Sequence, residues 1–434
     1  MSASASTDAL PACFPHASSN GTIAGEWKLR PATAFIRRFF TCPLLDSKFV
    51  GRMRDGRRNA TGLQLPRFFP TSCSLPRFSA RALLSLLAGR TLVIVGDSVS
   101  EQHFHSLACS LLVAEAAPGM PTMTPSWWPT NATRSELWRT RSCLPFGAEP
   151  SRLFLLCLLT AAKANEMHAP PDWLAASKLR AALQPTDVVL LNAGVHFSEA
   201  STAAAHFEQL VGPLLQAEPS GRAKPLKAAD RSESNGRRES SGKKESSTSK
   251  REYSAPPLVV YAQTAPQHFA GGRYPSDDPA AGCVPHAPGC ASCNLYNARV
   301  DALARAASVP ILPLWHASAV MHGEHAAPPR DCTHFLLPGV PSHWSELLLG
   351  LLATPHTLKP FPAPPAAASS PPQLSPQRRW HALRRAFTSL PGCIYHHRGT
   401  RARGGRSSSA SAENASCCTA ACRAEQLMAH SPPT

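Results

Sequence analysis

Thr91-Leu92-Val93-Ile94-Val95-Gly96-Asp97-Ser98-Val99-Ser100 is the stretch on which the fold turns. Four consecutive apolar residues, three of them β-branched, follow Thr91 and stop at a glycine, the pattern of a strand buried on both faces. A helical pattern takes over across 101–113. Ser98 is therefore expected at a strand-to-helix turn, at the carboxyl end of a parallel strand, where open α/β sheets keep their sites. There the N–H groups of the new helix face any developing oxyanion. The same tripeptide also reads as a plain helix start with Asp97 or Ser98 as N-cap. The rest of the chain has to decide between the two.

Outward from this strand, further apolar runs lie at 153–158, 187–191, 258–262 and 310–314, with helical patterns at 80–88, 173–183, 203–215 and 294–307 between them. Strand alternating with helix predicts crossover units and a parallel sheet covered on both faces, an α/β three-layer αβα sandwich. Residues 13–90 lack such runs, are rich in Arg and Phe, and hold Cys13, Cys42 and Cys73. They are expected to form an irregular, disulfide-held appendage on a catalytic domain spanning 91–355. Residues 217–255 carry Ser, Lys, Arg, Glu and Gly with almost nothing to bury, which predicts a disordered insertion. Residues 356–434 read as a Pro/Ala/Ser-rich and then basic tail with one tethered helix at 377–389.

Composition narrows the function. With 434 residues, 43% hydrophobic and 17% charged, the chain can bury one large core or two modest ones, and 43 prolines argue against an all-helical bundle. The net charge of +16 invites a nucleic acid, but twelve of the sixteen excess charges fall in 217–255 and 356–434, segments of disordered character with few aromatics for base stacking. No nucleic-acid partner is expected. Fourteen cysteines and glycosylation acceptors at Asn20, Asn59, Asn131 and Asn414 predict a disulfide-bonded glycoprotein of the secretory pathway. No basic-then-apolar leader and no run of about 20 apolar residues is visible. The expectation is a chain that lacks its true N-terminus or its membrane anchor.

The second chemical motif is Asp331-Cys332-Thr333-His334, followed by Phe335-Leu336-Leu337-Pro338-Gly339-Val340-Pro341 and a helix over 342–352. The prolines and glycine predict a loop for Asp331 and His334. A carboxylate three residues before an imidazole can fold back onto Nδ1–H, fix the tautomer, and leave Nε2 to take a proton from a serine. Taken alone this is also an ordinary polar loop, since His322, His325 and His343 crowd the same region. Coming late in an α/β chain whose early strand ends in Gly-Asp-Ser, it completes a triad.

These blocks, with Cys73-Ser-Leu-Pro-Arg-Phe78, Ser106-Leu-Ala-Cys109 and Trp344, closely resemble the plant trichome-birefringence-like family, the PC-esterase domain proteins, in both order and spacing. Asp187-Val-Val-Leu-Leu-Asn192-Ala-Gly194 is similar to that family's strand ending in Asn-x-Gly. Thr264-Ala-Pro266-Gln-His268-Phe269 is similar to its Thr-x-Ser-Pro-x-His-Phe segment. The likeness covers roughly residues 13–355. It implies an SGNH/GDSL-hydrolase-like fold and Golgi-lumen O-acetyl transfer onto hydroxyls of cell-wall polysaccharides, with Ser98 as nucleophile, His334 as base and Asp331 as its orienter. It also implies no metal and no resident cofactor, with an acetyl donor, an acetyl ester or one derived from acetyl-CoA, as substrate beside the glycan acceptor.

The chain departs from the family pattern at Glu101, which stands where the relatives carry arginine, at Phe335 after the histidine, at Leu337 in place of a cysteine, and at Val195, which separates Gly194 from His196. No role is assigned to His196. Asn192 reads either as an oxyanion donor alongside the Ser98 and Gly194 backbone or as a turn residue closing its strand. Gln102 is expected on a solvated helix face. Cys283, Cys290 and Cys293 with His286 fit a zinc set or, in an oxidising compartment, loop disulfides. Two other functions share these residues: a carbohydrate acetyl esterase, if water reaches the acyl-serine, and a non-catalytic glycan-binding relative.

Overall fold

The computed structural model describes residues 10–14, 23–31, 38–45, 47–50, 64–115, 143–146, 154–160, 179–181, most of 183–219, 253–272 with 274, 278 and 280–286, and 294–358 apart from 356. The chain divides into units 1–393 and 394–434, and every described residue lies in the first. Residues 220–252 of the insertion, the tail from 359 onward and 173–178 fall outside the described residues; the two ends of the insertion are paired, 218–219 antiparallel to 253–254, and 179–181 are helical.

Twelve strands and seven α-helices carry the described fold. In chain order they are β1 (Gly25–Pro31), α1 (Ser47–Val50), β2 (Gln64–Pro70), α2 (Ala80–Leu86), β3 (Thr91–Gly96), α3 (Ser98–Glu115), β4 (Cys143–Phe146), β5 (Phe154–Thr160) and β6 (Val188–Leu191). There follow α4 (Ala200–Leu215), β7 (Glu218–Pro219), β8 (Tyr253–Ser254), β9 (Leu258–Ala262), α5 (Leu295–Ala306), β10 (Ile311–Leu312), α6 (Leu314–Ser318), β11 (His325–Ala327), β12 (Asp331–Phe335) and α7 (Val340–Ala353).

The central sheet has the order β10-β9-β6-β3-β5-β4, with five parallel strands and β4 antiparallel at the edge. The apolar run at 91–95 is buried throughout because its two faces feed two cores. Leu92 and Ile94 pack with Leu83, Leu107, Leu111, Trp344 and Leu348 on the side of α2, α3 and α7, while Val93 and Val95 pack with Phe207, Leu210, Val300 and Ala304 on the side of α4 and α5. This is the three-layer α/β sandwich expected from the sequence, of SGNH-like kind. From β3 the chain continues to β5 on one side and then to β6 on the other, so the crevice beyond β3 and β6 is a topological switch point, the place such sheets bind ligands.

Four local expectations are corrected. Asp331 and His334 do not lie on a loop: they sit in β12, which pairs antiparallel with β11. A five-residue strand against a three-residue partner is too short to display alternation. The run at 310–314 supplies only two strand residues, because Pro313 ends it and Leu314 opens α6. The helix expected over 342–352 begins at Val340, since a proline in the first turn lacks only an N–H that would go unbonded there. Residues 25–31 and 64–70, read as irregular, form a two-stranded antiparallel ribbon anchored by the Trp27 indole N–H donating to the Ala317 carbonyl at 2.6 Å. Disulfides Cys13–Cys73 and Cys42–Cys109 hold this N-terminal region, the second fastening it to α3. Among the described residues no helix is long and apolar enough to cross a membrane.

Candidate active site

Ser98 is the first residue of α3, directly beyond β3. The turn is made by Asp97, whose Oδ1 accepts from the N–H of Val99 at 2.8 Å and of Ser100 at 3.4 Å, while its backbone carbonyl accepts from Glu101. The N-cap reading is thus realised by Asp97, and it is what presents Ser98 rather than an alternative to its doing so. The other oxygen, Oδ2, accepts from Val195 N–H at 2.6 Å and so ties the end of β3 to the segment after β6. Two glycines make this approach possible. A Cβ on Gly96 would meet Ser100 Oγ at 2.1 Å, and one on Gly194, whose φ is +89°, would meet Asp97 Oδ2 at 2.8 Å.

Across the crevice, His334 Nε2 stands 2.7 Å from Ser98 Oγ, and His334 Nδ1 donates to Asp331 Oδ2 at 2.8 Å. The two motifs, 236 residues apart, meet at hydrogen-bond distance. Asp331 Oδ1 also accepts from the N–H groups of Thr333 and His334, both at 3.0 Å, so the carboxylate folds back over its own strand. Burial works to raise the Asp331 pKa, but the His334 ring and these N–H donors outweigh it and hold the group at about 2. The dyad stays open to substrate, with the His334 side chain 21% exposed. Phe49 of α1 packs a buried ring 5.6 Å from the imidazole, and its carbonyl accepts from Leu337 N–H.

Asn192 and Gly194 have other partners. The Asn192 amide donates to the Ala262 carbonyl at 2.9 Å and to Thr264 Oγ at 3.3 Å, and its oxygen accepts from Gly194 N–H at 2.7 Å. This is the turn-closing arrangement, bracing β6 against β9. Of the three oxyanion donors expected, only the Ser98 N–H is without a protein acceptor among the described residues.

Gln102 is not solvated. It is fully buried, its amide donates to the Phe335 carbonyl and its oxygen accepts from Phe335 N–H at 3.1 Å, so α3 grips the residue next to His334 by both backbone groups. One turn further on, Ser106 Oγ meets Ser342 Oγ at 3.2 Å. Ser98, Gln102 and Ser106, four apart, form one polar seam along α3 that faces β12 and α7, and that i, i+4, i+8 spacing was the available signal. Glu101 lies in the same turn, 3.6 Å from His105 and 3.4 Å from Lys48. Burial favours its neutral form, yet these partners hold it at about 2.

Cys283 is bonded to Cys332, between Asp331 and Thr333, and is therefore no thiolate ligand. Cys290 and Cys293 lie outside the described residues. Among the described residues, no group of three or more His, Cys, Asp or Glu side chains is placed to hold a metal ion.

Residues 75–288 match the PC-Esterase family, described as a GDSL/SGNH-like acyl-esterase family found in Pmr5 and Cas1p. That match contains Ser98 and ends before Asp331 and His334. Among curated proteins, Protein trichome birefringence-like 18 of Arabidopsis thaliana is 24% identical over 353 residues, 72% of this chain and 62% of that protein. Xylan O-acetyltransferase 6 of Oryza sativa subsp. japonica is 38% identical over 101 residues, covering 23% and 17%. Xyloglucan O-acetyltransferase 4 of Populus trichocarpa is 45% identical over 58 residues, covering 13% and 14%. The chain thus spans less than two thirds of the length of the longest-matching of these relatives. The chain is similar to the GDSL/SGNH-like PC-Esterase family over 75–288, and through most of its length to a trichome birefringence-like protein.

Proposed function

We propose that the chain is an O-acetyltransferase that moves acetyl groups onto polysaccharide hydroxyls through an acetyl-serine on Ser98. The observation that carries this reading is the unbroken line from Ser98 Oγ to His334 Nε2 at 2.7 Å and from His334 Nδ1 to Asp331 Oδ2 at 2.8 Å. The names of the xylan and xyloglucan O-acetyltransferases among its relatives support a glycan acceptor. In the first half-reaction Ser98 Oγ attacks the carbonyl carbon of the acetyl donor while His334 Nε2 takes the serine proton. His334 then returns that proton to the leaving group as its bond to the acetyl carbon breaks. In the second, a sugar hydroxyl attacks the acetyl-serine, His334 takes the hydroxyl proton, and the Ser98 oxygen leaves and is reprotonated.

Asp331 keeps the imidazole tautomer with its lone pair toward Ser98 and stabilises the charged ring in each step. The Ser98 N–H, aided by the positive end of the α3 dipole, is the donor available to the oxyanion. This scheme draws on no metal or resident cofactor, and the donor is an acetyl ester or one derived from acetyl-CoA. The disulfides and the kinship with plant polysaccharide acetyltransferases support work in the lumen of the secretory pathway, the Golgi included.

The acyl-esterase description of the matching family favours a second reading, in which water discharges the same intermediate. Intact-protein mass spectrometry after brief exposure to an activated acetyl ester, followed by oligosaccharide acceptors, separates them. An acetyl group mapped to Ser98 and discharged to sugar faster than to water is the expected outcome. Discharge mainly to water establishes the esterase, and a folded chain that takes no acetyl group on Ser98 overturns both.

A further inference from the structure

The segment 264–269, singled out in the sequence and given no role by the triad, brings His268 behind the site. His268 is fully buried, and so is His325 of β11. His268 Nε2 lies 2.8 Å from the Ala319 carbonyl, and His325 Nδ1 lies 3.1 Å from the carbonyl of His334 itself. A carbonyl oxygen only accepts, so both of these nitrogens carry hydrogen, and a neutral imidazole has one N–H. The two remaining nitrogens, His268 Nδ1 and His325 Nε2, face each other at 2.6 Å. With both rings neutral, two lone pairs would meet there. Turning either ring over would place carbons at both of its contacts. A metal ion does not fit, because zinc sits about 2.0–2.1 Å from each nitrogen it binds, which needs a wider gap.

We propose that His268 and His325 share one extra proton between Nδ1 and Nε2, and that this bridged pair positions His334 through its backbone carbonyl. The proposal rests on the reading of Ser98 and His334 as the reacting pair. The surroundings suit a single charge. The Phe335 ring stacks on His325 with centroids 4.5 Å apart, presenting its negative face to the cation, and Asp331 attracts it. Burial opposes the charge, as do His286 and His322 beside His268, and His334 and His322 beside His325. Burial and ring-to-ring repulsion push His268 down to about 3 and His325 to about 4, so the pair does not hold two extra protons and keeps one only through the short contact between Nδ1 and Nε2. As pH rises the one proton is lost, and the two nitrogens must part or give up a carbonyl.

Proton NMR of the intact chain carrying ¹⁵N-histidine tests this directly. The expected signal is a far-downfield imidazole proton that correlates with nitrogens of two rings, appears on the acid side, fades as pH rises, and is absent in His325→Asn. The second arm follows Ser98 acylation by p-nitrophenyl acetate against pH in His325→Asn, which retains an amide N–H for the His334 carbonyl, and in His325→Gln, which does not. In the parent the rate is expected to change across the pH window in which the bridging proton is lost, a step that both variants lack. His325→Gln is expected to have the lower plateau. Absence of a bridged proton at every pH where the chain is folded overturns the proposal, as does a fall in rate in both variants with a pH profile of the same shape as the parent's. If Ser98 takes no acyl group at all, the proposed function fails while the NMR arm still decides the pair.

Discussion

The two halves of the site are held by different forces. Ser98 hangs on β3, a strand buried on both faces, and on the first turn of a helix whose cap is one residue away, so its place follows from the hydrophobic cores. Asp331 and His334 hang on a short hairpin outside the main sheet, held by the Gln102 amide, the His325 ring, the Phe49 carbonyl and the Cys283–Cys332 bond. Burying the side chains of β3 is worth about 1.5–3 kcal/mol each and tolerates small errors elsewhere. Each hydrogen bond on the other half contributes about 0.5–1.5 kcal/mol and depends on direction. Ser98 is positioned by bulk, His334 by a handful of directed contacts.

Substitutions can break that contrast at graded strength. Ser98→Ala is expected to lower acetyl uptake to background while leaving the thermal midpoint unchanged, as the hydroxyl faces the crevice and bonds only to His334; mass spectrometry and thermal unfolding read the two. Asp331→Asn is expected to reduce the turnover number by about 10⁴-fold through the wrong imidazole tautomer, with Ser98 still in place. Gln102→Ala, remote from the reacting atoms, leaves both Phe335 backbone groups buried and unpartnered, a cost of about 1–3 kcal/mol each. It is expected to slow Ser98 acylation about tenfold or more, which equal rates in variant and parent would disprove.

The smallest effect is on stability in acid. Asp331 and Glu101 are held at about 2, below their unfolded values of about 4. Their contribution is therefore complete above about pH 4 and is lost as pH falls through about 2. Unfolding followed down this window should be flatter for Asp331→Asn than for the parent chain.

The same contrast explains what was legible in the sequence. An unbroken apolar run stopped by Gly96 can be little other than a buried parallel strand, and Asp331 three residues before His334 invites a folded-back carboxylate wherever the backbone puts it. Both motifs were found because their chemistry is local. Gln102 was misread because a lone polar residue on a helix looks the same whether its face meets water or another strand, and the strand it meets is 233 residues away. The ribbon of β1 and β2 was hidden by its Arg and Lys residues, whose charged ends reach solvent while Phe68 and Trp27 turn inward. The His268–His325 contact joins two segments 57 residues apart and leaves no spacing to read.

The bond between Cys283 and Cys332 has a consequence for how the protein comes to be active. It closes a loop whose ends are 49 residues apart and whose far end is the strand of His334. Until that loop is oxidised, the Asp331–His334 strand is tethered only by contacts that form after the sheet has folded. A chain folded without an oxidant would have a complete sandwich and a well-placed serine, with His334 held by the Gln102, His325 and Phe49 contacts alone. Oxidation of this one bond would add to the order of the Asp331–His334 strand without altering the sheet, which links the precision of the site to the redox state of the compartment.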